Sequence, residues 1–198
     1  MIRNNGGQKF GQLVTTAHDL FMRFGIRRVT VAEICFEANV SKMTFYKYFK
    51  NKNEILKYLL KRICSEQMTE YRKIMAQQVA FPEKVKQIIQ LKHEQTKMMS
   101  QEFFHDLWKN PNPEIVKLLE KLRQQSLNEI LTGFKIAREN GDIRQNIKPE
   151  FILYFLNHMT EMVNDEQLLK LYQSPNELAM ELTSFFFYGI LTPKNSEN

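Results

Sequence analysis

Residues 30–49 read TVAEICFEANVSKMTFYKYF, and this stretch, from Thr30 to Phe49, decides the fold. Thr30-Val31-Ala32-Glu33 has the pattern of a capping box, in which a hydroxyl and a carboxylate three apart satisfy each other's backbone amides at a helix start. Val31, Ile34, Cys35 and Ala38 then recur at helical spacing and give that helix an apolar stripe. Asn39 tolerates the left-handed backbone that a tight turn needs. Ser41 is placed to cap a further short helix through Tyr48. Two short helices joined by about three residues make a helix-turn-helix, whose second helix enters the major groove of DNA.

Helical spacing assigns the side chains. Phe45 and Phe49 are four apart and must pack inward with Val40. Met43 and Lys47 then lie opposite, aimed at the groove floor, flanked by Thr44 and Tyr48 on one side and Lys42 and Tyr46 on the other. Lys47 suits guanine O6 and N7, and Met43 suits a thymine methyl. Lys42, Tyr46, Lys50 and Lys52 are placed for phosphate, which sets affinity and register rather than sequence. Thr30 and the amides it caps offer phosphate donors as well, and Ser41 opens the reading surface.

The charge pattern agrees. Residues 1–52 hold nine Lys/Arg against three Asp/Glu, while residues 53–198 hold nineteen of each, so the whole formal excess of +6 sits in the first quarter. A polyanion-binding module on an electrically neutral body is implied. Cys35 and Cys64 have neither metal-ligand spacing nor a disulfide framework and read as reduced thiols. No N-terminal apolar run marks a signal peptide, and no stretch approaches the ~18 apolar residues of a membrane span. A cytoplasmic protein with no membrane role is expected.

Outward from the motif, helical periodicity dominates and strand alternation is nearly absent. After an arm ending at Gly6-Gly7, Phe10, Leu13, Val14, Ala17, Leu20, Phe21 and Phe24 line a first helix that Gly25 stops. Asn51 and Glu54 cap a fourth that runs to about Met75. Pro82 opens a fifth ending near Met99, and Phe103 to Trp108 make a short sixth before Asn110-Pro111-Asn112-Pro113. A seventh spans Glu114 to about Asn140, where Asn140-Gly141 ends it. Pro149 opens an eighth, and Ser174-Pro175 a ninth that stops before Pro193. The expectation is an all-α chain of nine helices: a three-helix DNA-binding domain over residues 1–52 and a helical bundle over 53–198.

Thr30 to Ile34, then Ala38 to Phe49, then Asn51-Lys52-Asn53-Glu54-Ile55-Leu56 resemble the DNA-binding domain of the TetR family of transcriptional regulators. The family pattern runs from a Thr-capped helix through a Val-Ser turn and a Tyr-x-x-Phe to a Lys-x-Glu opening the fourth helix. The resemblance implies DNA-backbone roles for Thr30, Thr44, Tyr46 and Lys52, with positions 42–47 facing an operator. Asn39 and Met43 stand where the family commonly has Gly, so the operator sequence does not carry over.

Downstream, only the order of helices resembles the family. It implies that the eighth and ninth helices pair with their counterparts in a homodimer, with Phe151, Phe155, Leu178, Leu182, Phe185 and Phe186 as interface candidates. The run Phe151 to Leu156 is apolar on nearly all sides and is expected to be buried on more than one face. A twofold dimer would set two recognition helices ~34–36 Å apart on a palindromic operator. A pocket for a small apolar or amphipathic effector is suggested by Lys92, Gln95 and Thr96, polar groups on the inward stripe of the fifth helix. Met99, Phe103, Phe104 and Trp108 follow in sequence, and Tyr154, His158 and Met162 face them in this scheme; the same Met and aromatic stripe equally suits plain core.

Glu102-x-x-His105 and His158-x-x-Glu161 pair a carboxylate with an imidazole one turn apart, but lack the further inward carboxylates of a metal-binding bundle. No nucleophile–base pattern and no glycine-rich phosphate loop is present. No enzyme activity, cofactor or metal is expected. The main reading is a repressor released from its operator by an effector. The alternative is a helical small-molecule-binding protein or enzyme that keeps a vestigial DNA-binding head.

Overall fold

Capping boxes, prolines and left-handed turns set the element boundaries, in a computed structural model that describes residues 5–97, 99–108 and 112–191, the side chains of Asn5, Gly6, Thr96, Trp108 and Thr160 excepted. The described residues form ten α-helices: α1 (Asn5–Phe24), α2 (Val31–Glu37), α3 (Lys42–Tyr48), α4 (Lys52–Met75), α5 (Phe81–Lys97), α6 (Gln101–Trp108), α7 (Pro113–Glu139), α8 (Pro149–Val163), α9 (Glu166–Leu169) and α10 (Pro175–Ile190). Gly25 and Gly141 both adopt φ 82° where α1 and α7 stop, the left-handed backbone that glycine enters without a Cβ penalty. Pro149 and Pro175 sit in the first turns of α8 and α10, where no amide is needed.

Two expectations on helices are corrected. The chain is already helical at Gly6-Gly7, so α1 swallows part of the expected arm. A tenth helix, α9, lies between the expected eighth and ninth; Asp165 caps it by accepting from the amides of Gln167 and Leu168, both at 2.9 Å. Four residues are too short for any periodicity to reveal, and only the Asp165 cap signals them. Asn110-Pro111 and Pro193, which figured in the expected boundaries, lie outside the described residues.

The chain divides into two packed units. The first gathers residues 1–66 with 98–120, and the second gathers 67–97 with 121–198, so the divisions fall inside α4 and α7. In the first, α1 packs on α2, α3 and α6. Its core holds Leu13, Val14, Ala17, Phe21, Val29, Ile34, Phe45, Ile55 and Leu56, each at most 2% exposed. In the second, α10 packs on α5, α8 and α9, around Ile74, Val85, Phe134, Ile143, Ile152, Phe186 and Phe187. The rings of Phe155 and Phe186 stack at 5.3 Å there.

The all-round burial expected for α8 does not hold within one chain. Ile152 is buried, but Phe151 is 55% and Tyr154 63% exposed. On α10, Phe185 (71%) and Tyr188 (57%) are exposed in the same way. The apolar surplus of these helices exceeds what the unit's own core takes up.

Candidate nucleic-acid interface

The recognition element is assembled from local hydrogen bonds outward. The Thr30 hydroxyl accepts the Glu33 amide at 3.1 Å, and the Glu33 carboxylate accepts the Thr30 amide at 3.5 Å, closing the capping box of α2. Asn39 takes φ 51°, and the Val40 amide donates to the Cys35 carbonyl at 2.9 Å, so the turn bends without glycine. Ser41 Oγ accepts the Thr44 amide at 3.2 Å and lies 2.9 Å from Thr44 Oγ1. Each cap of this kind stabilises a helix by about 1 kcal/mol, which matters for two helices of seven residues that could not stand alone.

Packing then fixes the face. Phe45 (0%), Phe49 (6%) and Val40 (7%) are buried, as the spacing requires. Phe10 of α1 stacks on Phe49 at 5.6 Å and meets Tyr48 and Tyr58 edge-on at 5.4 and 5.2 Å. With that side taken, Lys42, Met43, Tyr46 and Lys47 point outward; Met43 is 78% exposed and Tyr46 57%. Lys50 is exposed and Thr44 half-buried. The Thr30 hydroxyl spends an acceptor lone pair on the Glu33 amide and keeps its own O–H to donate. Burial pushes the Cys35 thiol up, against the pull of Lys42, leaving a neutral structural thiol behind the reading surface.

Lys52, expected on phosphate, is bonded within the protein. Its ammonium donates to the carbonyls of Ile26 at 2.7 Å, Arg27 at 3.1 Å and Val29 at 2.7 Å. An ammonium has three donors, so all are engaged and none is left for phosphate. Burial lowers its pKa, with Asp106 opposing that shift. Nothing near Lys52 in sequence signals this role, since its partners lie 23 to 26 residues upstream. Sequence reasoning also passed over the exposed Arg23 and Arg28, whose guanidinium carbons lie 5.1 and 4.6 Å from the Phe24 ring, and Phe36, 81% exposed on α2.

The residues proposed for an effector pocket are not gathered within either unit. Met99, Phe103 and Phe104 belong to the first unit, and Lys92, Gln95, Tyr154, His158 and Met162 to the second. Phe103 is core, 2% exposed, beside a void of ≈ 10 Å³ lined by His18, Phe21, Met22 and α4 leucines, too small for more than a water. Lys92 and Tyr154 are exposed; Gln95, Met99, Phe104 and Met162 are half-buried. His158 is half-buried too, its ring stacked on that of Tyr154 at 4.0 Å with Nδ1 2.7 Å from the Tyr154 carbonyl. The side chains of Thr96 and Trp108 lie outside those described. A larger recess of ≈ 300 Å³ is open to solvent and lined by Arg144, Asn146, Ile147, Lys148 and Phe151, of which only Phe151 figured in the sequence reading.

Of the six interface candidates, Phe151 and Phe185 are exposed and Phe155 is half-buried. Leu178, Leu182 and Phe186 are corrected: at 1, 8 and 4% exposure they fill their own unit's core, on the α10 face that turns inward. Among the described residues no three His, Cys, Asp or Glu side chains converge as a metal site would require. His158 Nε2 and Glu161 Oε2 are 3.9 Å apart. No helix among the described residues is long and apolar enough to cross a membrane.

Comparison with known proteins places this geometry. Residues 13–59 match the family described as bacterial regulatory proteins, tetR family. An uncharacterized HTH-type transcriptional regulator of Haemophilus influenzae is 29% identical over 137 residues, 69% of this chain and 60% of that protein's length. Among solved structures, the fatty acid degradation regulator FadR of Bacillus halodurans superposes with a TM-score of 0.69 at 17% identity, over 91% of this chain and 99% of that one. FadR of Bacillus subtilis, solved in complex with stearoyl-CoA, gives 0.69 at 16% identity over 91% and 99%. Salmonella enterica GusR gives 0.67 at 14% over 96% and 98%. At these identities the structures speak for the fold alone.

Proposed function

We propose, from the match of residues 13–59 to the tetR family of bacterial regulatory proteins, that the chain is a transcriptional regulator of that type and a homodimeric repressor released from a palindromic operator by a small, largely apolar effector. The observation that carries the DNA-reading part is the outward row Lys42, Met43, Tyr46 and Lys47, held by the burial of Phe45 and Phe49 and set within residues 1–52, whose nine Lys/Arg stand against three Asp/Glu. Met43 and Lys47 meet base edges; Lys42, Tyr46, Lys50 and the Thr30 hydroxyl meet phosphate. Ser41 and Thr44 serve by closing the cap that starts the helix.

The exposed rings of Phe151 and Tyr154 on α8 and of Phe185 and Tyr188 on α10 support dimerisation, because a monomer in water gains nothing from them. The second unit takes the effector. For release, the effector must bind the non-operator conformation more tightly, and operator must weaken effector binding by the same factor.

The test is selection from a pool of randomised duplexes with the purified protein at low salt. The expected product is a palindrome with half-sites one helical turn apart, bound with an affinity that falls steeply with added salt. The double variant Lys47→Ala, Tyr46→Ala should bind it at least about 100-fold more weakly. No enrichment, and no binding of any duplex at low salt, would sink the proposal.

A further inference from the structure

The turn between α1 and α2 is held from two sides by residues distant in sequence. From α4, Lys52 donates to the carbonyls of Ile26, Arg27 and Val29. From α6, Asp106 Oδ2 accepts the Arg27 amide at 2.8 Å. Next to it, a Cβ on Gly25 would stand 2.8 Å from Asp106 Oδ2 and 3.0 Å from Glu102 Cβ, so α6 lies flush on the turn. The Ser100 amide, just before α6, donates to the Met22 carbonyl at 2.9 Å. Together these contacts occupy the backbone groups of a segment that ends at Val29, immediately before Thr30.

We propose that Asp106 is a positioning residue for operator binding: with Lys52 it clamps the turn at residues 25–29, and so fixes where α2 starts and how α2 and α3 are presented. The physical ground is that hydrogen bonds are directional, so bonds from two elements to neighbouring residues of the turn fix its backbone in one place. Here the donor's partner comes from α6 and the acceptors' partner from α4. An acceptor withdrawn by movement of α6 leaves the Arg27 amide unpaired and leaves Lys52 without its compensating carboxylate. This rests on the proposed operator binding, and goes beyond it in assigning a residue that touches no DNA.

Simple electrostatics and the clamp make opposite predictions. Removing a carboxylate from a unit that approaches a polyanion strengthens binding if charge alone matters. If Asp106 positions the turn, Asp106→Ala weakens binding of the selected duplex at least tenfold, while Asp106→Asn, whose amide oxygen still accepts the Arg27 N–H, stays within about threefold of wild type. Hydrogen exchange at Arg27 should rise in the alanine variant and stay low in the asparagine one. Lys52→Met should weaken binding with the slope of log Kd against log salt unchanged, whereas loss of a phosphate contact flattens that slope by about 0.9.

Tighter or unchanged binding by Asp106→Ala, or a flattened slope in Lys52→Met, overturns the proposal. Should Asp106→Ala fail to fold, Asp106→Asn decides: weakened binding with the Arg27 amide still protected overturns it, and wild-type affinity with that protection supports it. Wild-type protein that selects no duplex at all refutes the regulator reading instead, and the two failures are thereby distinct.

Discussion

The two units are ordered by different means. In the first, short helices are pinned by named hydrogen bonds: the Thr30–Glu33 box, the Ser41 cap, the three carbonyls on Lys52. In the second, long helices are held by rings and aliphatic side chains, Phe134 against Phe186 and Phe187, Phe155 against Phe186, and a buried hydroxyl, Tyr71 Oη, is left without a partner. Hydrogen bonds are directional and tie particular residue types to particular offsets; apolar packing is tolerant of which side chain fills a space. A reading head needs its side chains fixed in register with base edges. Under the proposed function, a body that takes an effector and a second copy needs only adequate apolar area.

That contrast yields tests of decreasing size. Phe45→Ala, which empties the most buried position behind the recognition helix, should lower the unfolding free energy by about 3–5 kcal/mol in chemical denaturation and abolish duplex binding. If the loss is under about 1 kcal/mol, the first unit is as tolerant of its core as the second, and the contrast fails. Phe151→Glu with Phe185→Glu should shift the protein from dimer to monomer in analytical ultracentrifugation, weakening self-association about 100-fold, with little change in helicity. An unaltered dimer would mean that those rings serve another partner.

Thr30→Ala should cost about 1 kcal/mol through the lost cap, and Thr30→Ser should restore it. Tyr71→Phe is expected to go the other way, neutral or stabilising by up to about 1 kcal/mol, because it removes a buried hydroxyl that finds no acceptor. Burial pushes the Tyr71 phenol up to about 12, so its folded value lies above the unfolded one. Stability from this group is present below pH 10 and lost as pH rises toward 12, and the phenylalanine variant should lack that alkaline loss. Smallest is Glu129, whose carboxyl the Arg72 guanidinium holds below its usual range at 2.6 and 2.8 Å. Here the folded pKa is the lower, so the difference between wild type and Glu129→Gln should be present at neutral pH and shrink as pH falls below 4.5. A difference that persists at low pH would place the effect in packing.

The same contrast explains what could be read in advance. The head was legible because each of its devices has a fixed residue at a fixed spacing: Thr30 and Glu33, Asn39, Ser41, Phe45 and Phe49. The partners of Lys52 were not legible, because those carbonyls are joined to it by folding and not by proximity in the chain. In the body, helix boundaries at Pro149, Pro175 and Gly141 were legible, since they depend on one residue's backbone. Which face of an all-apolar helix turns inward was not: Leu178, Leu182 and Phe186 went to the core and Phe185 and Tyr188 outward, a choice made by neighbouring helices. The proposed pocket was the least legible, because half-polar stripes such as that of α5 carry no signal that separates a lining from a surface.

The first unit takes α6 from a stretch of chain that begins more than thirty residues after its other part ends. A unit of that make-up is not one contiguous stretch of chain. Cutting the chain after residue 66 would release α1 to α3 without the aspartate that meets their turn.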